Sequence, residues 1–130
     1  MTSQNTHQEV NQRFSGNPIE LRKNYAKLSL LTTEEMIVDD TGLIHGGFIF
    51  GLADYCAMLV VNHPNVVLGK AKVEFLKPVK LYDTLIAEGN ITDTHNREIY
   101  VTVDIYRNGD LVFNGIFTCF TPKRHVLKRG

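Results

Sequence analysis

Beyond Pro64 the chain alternates apolar and polar residues. Ala71, Val73 and Phe75 are interleaved with Lys70, Lys72 and Glu74, and Ile99, Val101, Val103 and Ile105 with Tyr100, Thr102, Asp104 and Tyr106. A period of two sustained this long predicts strands with one buried face. Pro78 closes the first of these, Leu81–Ile91 forms the next, and Asn108-Gly109 predicts a type I′ hairpin leading into a last strand over Leu111–Thr121. Ahead of Pro64 the pattern differs. The run from Gly46 to Asn62 is apolar on nearly every face, which predicts one helix about 25 Å long and buried nearly all round. His63-Pro64-Asn65 stops it, because the residue before a proline avoids helical geometry. Earlier still, Tyr25–Val38 is rich in strand formers and ends at the turn cluster Asp39-Asp40-Thr41-Gly42. Asn17-Pro18 reads as the start of a short helix that ends near Lys23-Asn24. Met1–Gln12 is polar and reads as a frayed tail, with a short helix reaching Phe14.

One strand, one helix and then four strands in succession imply an α+β domain. The economical arrangement is a five-stranded antiparallel sheet wrapped around the helix, with the last four strands as consecutive neighbours. Residues 25–122 form this body, flanked by an N-terminal tail and short helix (1–24) and a basic C-terminal tail (123–130). The far side of so apolar a helix needs a cover, and a second copy of the chain is the natural one.

A length of 130 residues suits one domain with a core of its own. Fourteen Lys and Arg balance fourteen Asp and Glu, so broad attraction to nucleic acid is not expected. The longest apolar stretch, Leu43–Val61, is interrupted by His45, several glycines and Asp54, which excludes it as a membrane span. Only Cys56 and Cys119 occur, without a Cys-x-x-Cys pair, which reads as a reduced, cytoplasmic protein. The five histidines are scattered without metal-ligand spacing, so no metal site is expected.

Two features of the helix go beyond core packing. Gly46 and Gly47 open it, and glycine there lets a ligand approach N–H groups that have no intrahelical partner. The same glycines also serve a tight turn into a helix. Asp54 stands in the middle of the apolar run, where desolvating a carboxylate costs several kcal/mol unless it is compensated. Either it lies at a solvent edge or has a structural partner, or it is a carboxylate held in a small dry pocket. In such a pocket it can act as a general base on water or as a nucleophile. Gly47 and Asp54 are seven residues apart and so about 10 Å apart along the axis. A reacting carbonyl must lie within about 3 Å of both its oxyanion donor and the attacking group, so one helix cannot supply both. Two antiparallel copies can. Cys56 on the apolar helix reads as core, and no G-x-S-x-G motif supports a serine nucleophile.

The run His45-Gly46-Gly47 followed by Asp54 and Ala57 resembles the signature of hotdog-fold acyl-CoA thioesterases of the phenylacetate-pathway and 4-hydroxybenzoyl-CoA groups. The resemblance extends over about Val38–Thr121. It implies a long helix wrapped by a curved antiparallel sheet, dimers or dimers of dimers, and hydrolysis of acyl-CoA or acyl-carrier-protein thioesters without a further cofactor. By matching position, Asp54 is the base or nucleophile, and the N–H of Gly46, or also of Gly47, holds the thioester oxygen across the dimer interface. His45 shapes or polarises the same pocket, or bonds a loop carbonyl. Many relatives have Asn where this chain has Asp39, and Ser or Thr where it has Leu68. The segments around VEFLKPVKLYDTLIAEGNI and NGDLVFNGIFTCF are also similar to the acyl-CoA-sensing hotdog domain of the repressor of fatty-acid synthesis. There the position of Asp54 is Asn, which makes a non-catalytic acyl-CoA binder the second expectation. Lys70, Lys72, Lys77, Lys80, Arg107, Lys123 and Arg124 are the cations available to coenzyme A phosphates, none of them singled out by sequence.

Overall fold

The computed structural model describes residues 1–128; the end of the expected basic tail, residues 129–130, lies outside them. Its centre is the expected helix, here α2 (Gly46–Val61), preceded by a single turn, α1 (Gln12–Ser15). Six strands surround it: β1 (Asn17–Arg22), β2 (Tyr25–Leu31), β3 (Val67–Phe75), β4 (Thr84–His95), β5 (Glu98–Arg107) and β6 (Asp110–Phe120). They form one antiparallel sheet in the order β1-β2-β4-β5-β6-β3. This is the hotdog fold, with one strand more than expected.

The extra strand corrects the reading of residues 17–24. Asn17–Arg22 is extended and pairs with β2, not helical. Pro18 tolerates this because β1 is an edge strand, where a missing N–H costs no ladder bond on the open side. Nor do the last four strands follow one another across the sheet. β3 pairs with β6, and the chain from Phe75 to Thr84 crosses over, because β2 already occupies the other side of β4. β2 also ends at Leu31 and not at Val38. Thr32, fully buried, turns the chain by donating its hydroxyl to the carbonyls of Lys80 and Asp83, and a 3₁₀ turn follows at Glu34–Met36. The hairpin at Asn108-Gly109 is as expected: both residues have positive φ (50° and 84°), which a type I′ turn requires.

Leu52, Met58 and Leu59 of α2 pack against the inner face of the sheet, where Leu28, Leu85, Val103, Ile105 and Phe117 are fully buried. Each such side chain contributes about 1.5–3 kcal/mol through removal from water. At Gly89 of β4 the helix comes close enough that a Cβ would meet Val60 at 2.7 Å and Cys56 at 3.1 Å. The N-terminal residues are not a frayed tail. The Asn62 side chain accepts from the Asn5 N–H (2.7 Å) and donates to the Ser3 carbonyl (2.8 Å). The Gln4 amide donates to the hydroxyl of Tyr55 (3.1 Å). The segment therefore closes one flank of α2 near its C-terminal end. Among the described residues no helix is long and apolar enough to cross a membrane.

Candidate functional site

The other flank of α2 is open. Gly47, Gly51 and Asp54 recur at helical spacing along it, and none of the three is buried, unlike Leu52, Ala53 and Tyr55 beside them. A Cβ at Gly51 would meet nothing within 4 Å. One chain therefore covers only part of the helix and leaves uncovered the side for which a second copy was expected. The open flank lies on the side of β6 and β3. Phe50 packs on Phe117 of β6 with ring centroids 5.7 Å apart, and Phe75 at the end of β3 lies against Gly46. β3 is itself an edge strand, so the uncovered helix face and an unpaired strand edge adjoin.

Asp54 sits in the middle of this flank. Its Oδ1 is buried and has no hydrogen-bond partner among the described residues. Burial raises its pKa above the usual carboxylate value, since desolvation disfavours the charged form. Cys119 of β6 is its neighbour: burial first, then the negative charge of Asp54, push that thiol up to about 12. Cys119 and Cys56 are both free and buried thiols. An orphaned buried acceptor costs about 1–3 kcal/mol, so the position is one where a single chain is incomplete.

His45 caps the helix. With extended backbone (φ −62°, ψ 128°), its Nδ1 accepts the N–H of Gly47 at 2.7 Å, and its carbonyl accepts the N–H of Phe48 at 3.1 Å. This bond requires the tautomer with Nδ1 unprotonated. A side chain larger than hydrogen at position 47 would collide with the ring, since a Cβ there would lie 2.8 Å from Nδ1. The cap therefore depends on the His45-Gly47 pair and separates the two glycines. Gly47 has its N–H engaged. Gly46 has its N–H free of any partner among the described residues, at the positive end of the helix dipole. Gly46 and Asp54 are eight residues apart on one helix, about 12 Å along the axis, so a single chain does not bring donor and carboxylate together.

Asp39 is engaged within its own turn. Its carboxylate accepts the N–H (2.9 Å) and hydroxyl (2.6 Å) of Thr41 and is exposed; these bonds hold its pKa below the usual value. Leu68 is half-buried and packs against the core from β3. Arg107 is committed to structure, donating to the Pro78 carbonyl at 2.6 Å and pairing with Asp83 at 3.5 Å. Lys77 lies 3.9 Å from Asp110.

A family model described as the thioesterase superfamily matches residues 41–113, which include the capped helix, Asp54 and β3 to β5. The chain belongs to the thioesterase superfamily. Within and around it, 116 residues are 47% identical to a segment of methylthioribose-1-phosphate isomerase from Aquifex aeolicus, covering 88% of this chain but 25% of that protein. Transcription factor FapR of Staphylococcus aureus is 31% identical over 87% of this chain and 62% of its own length. The chain thus spans about a quarter of the first of these relatives and less than two thirds of the second. Among solved structures, an uncharacterized protein from Pyrococcus horikoshii is 46% identical with a TM-score of 0.96, over 98% of both chains. A hypothetical thioesterase of Streptococcus pneumoniae, solved with coenzyme A, is 25% identical with a TM-score of 0.74, over 82% of this chain and 84% of that one.

Proposed function

We propose that the protein hydrolyses an acyl thioester, of coenzyme A or of an acyl carrier protein, as a homodimer or a dimer of dimers. The observation that carries this is the Oδ1 of Asp54, buried on the uncovered flank of α2 and, like the N–H of Gly46, without a partner among the described residues. A second copy packed antiparallel on that flank brings the Gly46 tip of one helix to the Asp54 of the other. The carbonyl oxygen of the thioester accepts from Gly46 N–H, whose hydrogen bond strengthens as negative charge develops. Asp54 then removes a proton from water as the water oxygen bonds to the carbonyl carbon. Collapse of the tetrahedral species breaks the C–S bond, and the thiolate takes the proton back from Asp54. In the alternative course the Asp54 carboxylate attacks the carbonyl carbon and expels the thiolate, and water then opens the resulting anhydride, restoring Asp54 and releasing the acid and the proton that the thiolate takes up. Desolvation makes Asp54 a stronger base than an exposed aspartate, which suits either course. His45 acts on the site through Gly47: by engaging that N–H it orients the first turn and leaves Gly46 as the donor.

The kinship with a transcription factor supports a second reading, in which the same dimer pocket binds an acyl-CoA without turnover. Hydrolysis of an acyl-CoA panel by wild type, Asp54→Ala and Asp54→Asn separates the two. Turnover by wild type that either substitution abolishes, with binding retained, carries the enzyme reading. Tight binding by wild type without turnover overturns it in favour of the second. Single turnover in ¹⁸O-water that leaves label in Asp54 identifies direct attack, with water opening the anhydride at the Asp54 carbonyl, since general-base hydrolysis puts the label in the product acid alone.

A further inference from the structure

An aromatic ring borders the free N–H of Gly46. The Cα–Cβ direction of a helical residue tilts toward the N-terminus, the way the free N–H points, so whatever lies beside a missing Cβ at position 46 also lies beside that donor. The ring of Phe75 lies there: a Cβ on Gly46 would be 3.4 Å from its Cε1, 3.8 Å from Cζ and 3.9 Å from Cδ1. These are ordinary contact distances, so the glycine leaves a slot about one methyl group wide between the ring and the helix tip. Both walls are held. The chain entering α2 is fixed by bonds from the Ile44 N–H to the Val79 carbonyl (2.9 Å) and from the His45 N–H to the Met36 carbonyl (2.9 Å). Phe75 pairs with Phe113 in the β3–β6 ladder, and their rings meet edge to face with centroids 5.1 Å apart. The N–H of the next residue, Leu76, donates to the Val112 carbonyl (2.8 Å). Phe113 is fully buried, whereas the Phe75 ring, equally well anchored, is 51% exposed.

We propose that Phe75 determines which acyl groups the protein accepts: its ring and Gly46 enclose the carbon next to the thioester carbonyl, admit it unbranched, and turn away acyl groups branched at that carbon. The proposal rests on the dimeric thioesterase reading above. With the carbonyl oxygen on the Gly46 N–H, either the acyl carbon or the sulfur of the thioester lies against the ring. The sulfur leads to a polar carrier that must reach water, whereas the ring leads back to the buried Phe113, so the acyl side is the one that faces it. The path of β3 explains how the ring meets the carboxylate. At its start Leu68 pairs with Cys119, the neighbour of Asp54, and at its end Phe75 lies against Gly46. Two copies with antiparallel β3 edges therefore set the Phe75 end of one protomer beside the Asp54 of its partner. The ring that selects the acyl group and the donor that holds its carbonyl come from one chain, and the carboxylate from the other.

Steady-state kinetics of the full chain on butyryl- and isobutyryl-coenzyme A read the slot as a ratio of kcat/KM, which a uniform loss of folded or assembled protein leaves unchanged. We expect wild type to favour the straight chain about tenfold or more, and Phe75→Ala to bring the two within about threefold by gaining on the branched substrate. Phe75→Leu should fall between them, and it keeps an apolar side chain on the edge strand should Phe75→Ala fail to fold. Gly46→Ala fills the slot from the other side and should lower kcat/KM for butyryl-coenzyme A about tenfold. Phe75→Ala in that background should restore part of the loss, a rescue that a purely structural role for the ring does not give. A ratio near one in wild type, or a ratio that neither substitution at Phe75 moves, overturns the proposal and leaves the hydrolysis reading intact. Calorimetry with the ketone analogues of the two substrates, in which a methylene separates sulfur from carbonyl, makes the same comparison without turnover. If wild type hydrolyses neither thioester but binds the straight analogue about tenfold more tightly than the branched one, and Phe75→Ala removes that preference, the slot stands and only the catalytic reading falls.

Discussion

Tyr55 and Asp54 are adjacent on one helix and meet opposite fates. Tyr55 is 3% exposed, and its hydroxyl takes a hydrogen bond from Gln4 of the N-terminal segment. Asp54 points to the other flank, where one oxygen is buried and nothing among the described residues bonds it. The chain thus completes one side of its helix with its own polar residues and leaves the other side, marked by glycines and a carboxylate, unfinished. Buried polar groups are ordinarily satisfied. On the dimeric reading proposed above, the open side is the one that receives a second molecule and a ligand, and the closed side is the one the chain's own contacts stabilise.

The comparison breaks most visibly at Asp54 itself. Asp54→Asn keeps the shape and removes the base, so kcat should fall about a hundred- to ten-thousandfold. The acid limb of the wild-type pH profile should lie above the ordinary carboxylate range, because burial raises this pKa, and it should vanish in the variant. The stability effect has the opposite sign. A group whose pKa is raised by folding stabilises the fold only while protonated, and that contribution is lost as pH rises through the raised value. Asp54→Asn should therefore melt higher than wild type at neutral pH, and the two should converge below about pH 4. Equal melting at both pH values would mean that Asp54 is solvated.

Next comes the open flank. Gly51 has no neighbour within reach of a Cβ, and replacing a helical glycine by a better helix former ordinarily gains about 1 kcal/mol. Gly51→Leu should instead cost the protein its assembly, read by sedimentation equilibrium, and at least about tenfold in kcat/KM, because the side chain occupies the space a partner helix needs. A variant that is dimeric, active and more heat-stable would show that the flank faces water alone. On the closed flank Tyr55→Phe removes one hydrogen bond without changing packing. It should cost about 1 kcal/mol in chemical denaturation and expose residues 1–11 to proteolysis, with no loss of kcat.

The open side was legible in the sequence, and the closed side was not. An aspartate in an apolar helix and a pair of glycines at its start are local anomalies that a pattern of residues displays. The partners of the closed side are not local: Gln4 and Tyr55 are 51 residues apart, Ser3 and Asn62 59. A polar run such as Met1–Gln12 looks alike whether it is solvated or pinned, so the tail reading failed for want of any short-range signal. Asn17-Pro18 misled for a different reason. Proline suits the first turn of a helix and an edge strand alike, and only the free edge of β2 decides between them. The bond that engages the Gly47 N–H was hidden as well. His45 is an unusual N-cap beside Ser, Thr, Asp and Asn, and nothing in its position announces that its ring turns back to the second N–H of the helix.

The smallest expected effect tests how firmly the closed side is held. His7 adopts a left-handed backbone (φ 54°), its Nδ1 lies 2.8 Å from the hydroxyl of Thr6, and its ring centroid is 6.5 Å from that of Tyr55. Burial lowers its pKa, so the folded chain prefers the neutral ring more strongly than the unfolded chain does. As pH falls below the ordinary histidine value of about 6.5, the unfolded chain binds the proton first and stability drops. His7→Asn removes the titration and retains a residue at ease in the left-handed region. The slope of Tm against pH between neutrality and about pH 5 should therefore be shallower in His7→Asn than in wild type, while the acid limb of activity set by Asp54 stays where it was. A slope unchanged by the substitution would place His7 in solvent, and the N-terminal segment would then not be the structure that closes this flank of the helix.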